Sequence, residues 1–199
     1  MYAELHAHSN FSLLDGASHP EELVAGAIAK GLTAIAITDH EGLYGICRFY
    51  KAAKSAGIKP VIGAELTIEG GFHITLLVEN ATGYINLCHL ITHAQLSESK
   101  GKSCLKSSHL PGHTAGLICL SGCSKGEVSS LLQQGDKGKA IEGARKYLSL
   151  FGRTNFFIEL QHHLHPEDGK LCAQLSGIAG ELGLTTIATN NVHYATRDD

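Results

Sequence analysis

No stretch of the 199 residues approaches the roughly 20 consecutive apolar positions that a membrane span requires. The opening run Met1-Tyr2-Ala3-Glu4-Leu5-His6 lacks the basic and then apolar order of a signal peptide. An excess of one charge is also missing: 16 lysines and arginines face 19 acids, for a formal net charge of −3. Whole-molecule electrostatics therefore give no push toward nucleic acid or a membrane surface. Any nucleic-acid contact needs a local basic patch or a neighbouring domain. The cysteines (Cys47, Cys88, Cys104, Cys119, Cys123, Cys172) form no Cys-x-x-Cys pair. Most sit in apolar runs, as small buried hydrophobes do in a reducing compartment. These absences together predict a cytoplasmic protein.

Tryptophan is absent, and histidine is plentiful at 13 residues. Histidine is the commonest metal ligand and the usual acid–base residue, so its placement governs the functional reading. With 43% hydrophobic residues, the chain can bury a sizeable core as one domain.

Short β-branched runs alternate with helical segments, the pattern of a parallel sheet built from βα units. Strands are expected at 2–8, 34–38, 60–66, 72–78, 116–120, 155–160 and 186–189. Glu69-Gly70-Gly71 predicts a hairpin between the third and fourth strands. Helices are expected near 20–30, with Ser18 as cap, and near 43–56, 82–95, 127–134, 137–150 and 166–182. The stretch 97–113, rich in Ser, Lys, Gly and His, reads as a surface loop with little order. About seven strands fit either a barrel or an open sheet.

Strand after strand ends on a metal-competent residue: His6 and His8, Asp39-His40, Glu65, Cys123 after Ser121-Gly122, and Asn191 with His193. His73 lies inside its strand. Active sites of parallel α/β folds form at the carboxyl ends of strands, where the loops converge. His6 and His8 point to one side of a strand, a spacing that suits two ligands of one metal. Glu65 follows an apolar strand and needs a cation to offset its desolvation. Asp39 is placed to orient the His40 imidazole, and Glu159 to support the site from behind. Asp15-Gly16 read alone is a turn.

Taken in order, His6-Ala7-His8-Ser9, Asp15-Gly16, Thr38-Asp39-His40, Gly63-Ala64-Glu65, Ser121-Gly122-Cys123 and Thr189-Asn190-Asn191-Val192-His193-Tyr194 resemble the PHP (polymerase and histidinol phosphatase) family. Within it they look most like the amino-terminal domains of bacterial DNA polymerase III alpha subunits, the error-prone branch above all. The resemblance covers the whole chain. It implies an α/β distorted (β/α)7 barrel whose metal site lies at the C-terminal ends of the strands. It also implies two to three divalent ions: one on His6, His8, Glu65 and Asn191, a second on Glu65, His73 and Cys123, a third on Asp15, His40 and His193. Mixed N, O and S donors favour zinc, manganese or iron. The implied activity is phosphoester hydrolysis, with Asp15, His40, His193 and Glu65 as the catalytic group and Asp15 or an imidazole protonating the leaving oxygen. The substrate is either a 3′ DNA terminus, giving a 3′–5′ exonuclease, or a small phosphoester taken by a stand-alone phosphatase.

Metal-active members usually carry Asp where this chain has Asn191. An amide still offers its carbonyl oxygen but removes a negative charge. Weaker metal binding follows, and with it an alternative: a catalytically impaired domain kept as scaffold for a polymerase. The chain stops at Thr196-Arg197-Asp198-Asp199, soon after the last motif. That predicts a single PHP domain over 1–199, the N-terminal fragment of a longer polymerase whose other domains follow and bring the DNA partner.

Other features read more plainly. His89 and His93 stand four apart on a helix but have no acid between them, as on a solvated face. His162 and His163, after the sixth strand, either touch phosphate or belong to a plain surface loop. Lys100, Lys102, Lys106 and Lys125 form either a modest basic rim or a solvated loop.

Overall fold

The computed structural model describes residues 2–97 and 103–196. Its elements run α1 (Pro20–Ala29), β1 (Ala34–Ile37), α2 (Ile46–Ser55), β2 (Lys59–Ile68), β3 (Phe72–Val78) and α3 (Ala81–Ser97). After a one-turn 3-10 helix (Ser107–His109) come β4 (Leu117–Leu120), α4 (Glu127–Gln133), α5 (Lys137–Phe151), β5 (Phe156–Leu160), α6 (Asp168–Leu182) and β6 (Thr185–Ala188). No helix among the described residues is long and apolar enough to cross a membrane.

The six strands form one sheet in sequence order. β1 and β2 are parallel, as are β4, β5 and β6, whereas β3 runs antiparallel to both neighbours. The hairpin expected at Glu69-Gly70-Gly71 is present, with Ile68 facing Phe72 across the turn. Because β3 is reversed, its first residues lie at the same rim as the carboxyl ends of the parallel strands. That is why His73, near the start of a strand, belongs with residues that finish theirs.

The sheet curls around its own side chains. Leu5, Ala36, Val61, Leu77, Ile118, Leu120, Phe157 and Ile187 pack in one cluster, to which the N-terminal segment and every strand contribute. The larger core lies under the helices and includes Leu66, Leu76, Leu87, Leu90, Tyr147, Phe156 and Ile178. A further cluster joins α1 and α2 to β1 through Leu23, Val24, Ile37 and Phe49.

The expected first strand over 2–8 forms only as single bridges, Glu4 to Ile35 and Ala7 to Val192. Its backbone is shared between two neighbours. Ala36 N–H and Thr38 N–H donate to the carbonyls of Glu4 and Ala7, while His8 N–H donates to Val192 and Val192 N–H to His6. The N-terminal segment thus sits between β1 and the stretch after β6.

Two local expectations are corrected. Ser18 does not cap α1: the cap position is His19, with Pro20 following it, and the Ser18 hydroxyl accepts from Ala195 N–H. The stretch 103–113 is ordered rather than loose. Leu105 and Leu110 are fully buried, and Leu105 N–H donates to Thr67 O. Two isolated leucines anchor a segment whose polar composition reads as loop.

Candidate metal centre

Glu65 is the hub. It ends an apolar stretch of β2 and is 1% exposed. Around its carboxylate stand His6 Nε2 at 3.5 Å, His8 Nε2 at 3.6 Å, His40 Nε2 at 3.1 Å and His73 Nδ1 at 3.3 Å. Cys123 Sγ donates to Glu65 Oε1 at 3.4 Å and lies 4.0 Å from His73 Nδ1. Next to this group, Asp15 Oδ2 is 3.2 Å from His40 Nε2 and 3.2 Å from His193 Nδ1. His8 packs face to face with His40 and His193, ring centroids 4.6 and 5.0 Å apart. The nitrogen His8 Nε2 donates to Asn191 Oδ1 at 3.0 Å.

Glycine permits two of these approaches. A Cβ on Gly16 would sit 2.1 Å from Ser9 O, so only glycine lets the Asp15 turn lie against the His8-Ser9 backbone. Gly122 has φ +87° and a Cβ there would be 2.5 Å from His73 O, which seats Cys123 beside β3.

The supporting residues differ in part from expectation. Glu159 accepts from His6 Nδ1 at 2.7 Å, from Gln161 Nε2 and from the Thr189 hydroxyl. This fixes which His6 nitrogen is protonated and leaves Nε2 facing Glu65. Asp39 holds no imidazole. Its carboxylate accepts from Ser9 N–H and from the hydroxyls of Ser9 and Ser12, and Ser12 Oγ in turn accepts from His40 N–H. Asp39 therefore shapes the loop under His8 and His40 rather than orienting a ring. Ser12, Gln161 and Thr189 were not legible as site residues, because hydroxyls and amides scattered along a sequence carry no signal of their own.

A cavity of about 1040 Å³ opens at the site, lined by Cys123, Glu159, Asn191, His193, His163 and Lys170 among others. His163 Nε2 donates to the carbonyl of Asn190. His162 is half exposed, and its Nδ1 accepts from Leu164 N–H. Lys106 and Lys125 are exposed, while Lys100 and Lys102 lie outside the described residues.

The charge balance of the cluster is that of a cation site. Burial alone would push the His6 imidazole down, but the Glu159 and Glu65 carboxylates outweigh it and hold its pKa at about 10. In the metal-free chain a proton on His6 thus sits between two buried carboxylates. Burial, then the charge on His6, pushes His8 down to about 3, so it offers a neutral imidazole. Burial opposes ionisation of Glu65, yet the His6 and His73 imidazoles beside it keep it well below the usual carboxylate range. Burial and the Glu65 charge push the Cys123 thiol up, so a thiolate there requires a cation nearby. His6 Nε2 is buried without a hydrogen-bond partner. Three overlapping sets have donor atoms within 4.8 Å of one another: His6, His8 and Glu65; His8, Asp15 and His40; His40, Glu65 and His73. The neutral His8 imidazole, the ionised Glu65 carboxylate and the orphaned His6 Nε2, whose proton an ion would displace, fit divalent metal.

These shifts set the stability profile of the metal-free chain. His6 keeps its proton to about pH 10 when folded, so its contribution is full below its unfolded value of about 6.5 and fades as pH rises through 10. His8 stays neutral down to about pH 3, so its contribution is full above about 6.5 and is lost as pH falls through 3. In chelator, the melting temperature is expected to peak near neutrality and fall on both sides. A melting temperature that keeps rising from neutrality to pH 10 contradicts the His6 placement.

Fold and site together define an α/β protein with histidines and acids gathered at strand ends. The PHP domain description matches residues 4–163, and the chain belongs to the PHP family. It is 41% identical over 215 residues to an error-prone DNA polymerase of Symbiobacterium thermophilum, covering 100% of this chain and 20% of that protein. It is likewise 41% identical over 212 residues to DNA polymerase III subunit alpha of Treponema pallidum, covering 100% of this chain and 18% of that one. The chain thus spans about a fifth of the length of these relatives. Among solved structures, the lesion-specific endonuclease of Pyrococcus furiosus shares the fold with a TM-score of 0.62 at 13% identity, over 98% of this chain and 48% of that one.

Proposed function

We propose that this chain is the PHP domain of an error-prone, DNA polymerase III alpha-like protein, and that it hydrolyses phosphodiesters with two to three divalent ions, zinc, manganese or iron. The observation that carries the reading is the convergence of four imidazoles and a thiol on the single buried carboxylate of Glu65. His6, His8, Glu65 and Asn191 hold one ion, Glu65, His73 and Cys123 a second, and Asp15, His40 and His193 a third. The N-terminal segment, bonded to neighbours on both sides, is the seventh strand of a distorted (β/α)7 barrel. DNA reaches the site through polymerase domains that follow in a longer cytoplasmic protein, and the 3′ end is the substrate class we favour.

Bound metals supply an acidified water and neutralise charge on the phosphoryl oxygens. The chain itself does the rest. Glu159 and Ser12 keep the His6 and His8 side chains aimed. Asp15, about a third exposed and flanked by His40 and His193, is the group placed to return a proton to the leaving oxygen. His163, on the cavity wall, is placed to meet phosphate, with exposed His162 beside it.

A second reading rests on Asn191. Its amide oxygen is already engaged by His8, and it brings no charge to the site, as expected of a domain retained as scaffold. Elemental analysis of the purified chain beside phosphodiester hydrolysis, with and without chelator, separates the two. Bound metal with chelator-sensitive hydrolysis is expected. Absent metal, or metal without turnover, makes the domain a scaffold.

A further inference from the structure

The structure gives new partners to the two helical histidines that look solvated in the sequence. His89 and His93 share one face of α3, four residues apart. Against that face lies the stretch formed by the 3-10 helix and the turn after it, which carries His109 and His113 at the same spacing. Ring centroids are 5.6 Å apart for His89 and His113, 5.9 Å for His93 and His113, and 4.2 Å for His93 and His109. Four imidazole nitrogens around one tetrahedral ion, each at about 2.0–2.1 Å, set ring centroids about 5 Å apart. The observed spacing brackets that value, and the rings around Glu65 are spaced alike at 4.6–5.1 Å.

Two further details point the same way. His113 Nδ1–H donates to the carbonyl of His109 at 3.0 Å, which leaves Nε2 as the lone-pair nitrogen in the manner of metal-bound histidines. His109 Nδ1 is buried and has no hydrogen-bond partner. Among the described residues, no carboxylate lies within ion-pair distance of any of the four rings. The cluster is therefore a set of imidazoles with nothing opposite them. His93 and His109 lie stacked at 27°, and the sets whose donor atoms already lie within 4.8 Å of one another do not include these four residues, so their side chains must rotate to aim at a shared point.

We propose that His89, His93, His109 and His113 form a separate all-imidazole site for zinc or a similar borderline-soft divalent ion, clamping the segment carrying His109 and His113 onto α3. The clamp reinforces contacts already there: Cys104 N–H donates to Ala94 O, and Leu105 and Leu110 are buried. The site draws on a helix and its following segment, whereas the Glu65 cluster draws on strand ends. Its chemistry suits holding, since four protein nitrogens fill a tetrahedral ion and leave no open position for substrate.

Zinc chloride is the probe, added to the chain in a Glu65→Gln, Asp15→Asn background, which takes a carboxylate from each of the three strand-end ion sites, then removed by desalting. That chain is expected to retain one zinc and to gain melting temperature from it. Adding His89→Gln and His113→Gln is expected to remove both the ion and the gain. In the otherwise unaltered chain the same pair is expected to leave phosphodiester hydrolysis unchanged. Equal zinc with and without the pair overturns the site, whatever the Glu65 cluster does. If the combined variant does not fold, imidazole NMR of the unaltered chain decides. Shifts of all four rings that saturate with zinc support the clamp, and rings that do not move overturn it.

Discussion

Glu65→Gln is expected to abolish hydrolysis and to strip the two ions that share Glu65 from the strand-end cluster, although it changes one atom and fills the same space. The other donors meet at this carboxylate, at 3.1–3.6 Å from His6, His8, His40 and His73. Losing an outer partner of a metal ligand costs roughly 10–100-fold, so removing the shared ligand is expected to exceed about 100-fold in activity. Stability is expected to fall as well. His6 holds its proton against burial because Glu159 and Glu65 stand beside it. Breaking a buried pair costs about 3–5 kcal/mol, and a domain of this size loses about 2–4 °C per kcal/mol. A fall on the order of 10 °C in the metal-free melting temperature follows. Activity assays, elemental analysis and thermal melts check the three effects. Full metal content and activity in the variant would remove Glu65 from its central role.

Asn191→Asp is expected to act in the opposite direction. Asn191 sits at φ +46°, in the left-handed region that Asn and Asp tolerate alike, so the backbone has no reason to move. The new carboxylate would lie where the amide oxygen now meets His8 Nε2 at 3.0 Å. An added charge there is expected to tighten metal binding about tenfold, equivalent to about 1.4 kcal/mol, and to raise phosphodiester hydrolysis. Competition against a calibrated chelator measures the first and turnover the second. If both stay at the parent value, Asn191 is not what limits the site, and the scaffold reading gains.

The strand-end residues were legible because a strand has period two and its carboxyl end has a fixed meaning in an α/β fold. His6, His8, His40, Glu65, Cys123, Asn191 and His193 could be placed by those rules, and all seven meet in space. His73 looked out of place until the reversed direction of β3 brought its start to the same rim. Other parts could not be read locally. Asp39 adjoins a ligand-type histidine in sequence, yet its hydrogen bonds go to Ser9 and Ser12, across a loop whose course depends on Gly16. The polar composition of 103–113 concealed Leu105 and Leu110, whose burial depends on what docks over them. For the same reason His89 and His93 lacked visible partners: His109 and His113 approach them only through tertiary packing. Composition reports what a segment is made of, whereas a site depends on what the rest of the chain lays against it.

His8 and Asn191 touch across a sequence separation of 183 residues, with the N-terminal segment seated between β1 and the residues after β6. This imposes an order in time on a chain made from its N-terminus. At about 5–20 residues per second, His6 and His8 are made about 10–40 s before Asn191 and His193. Throughout that interval the histidines have no completed cage, and the N-terminal segment has only one of its two flanking partners. Completion of the proposed ion sites that use Asn191 and His193 is consequently a late event in biogenesis, whereas the proposed set of Glu65, His73 and Cys123 is made well before it.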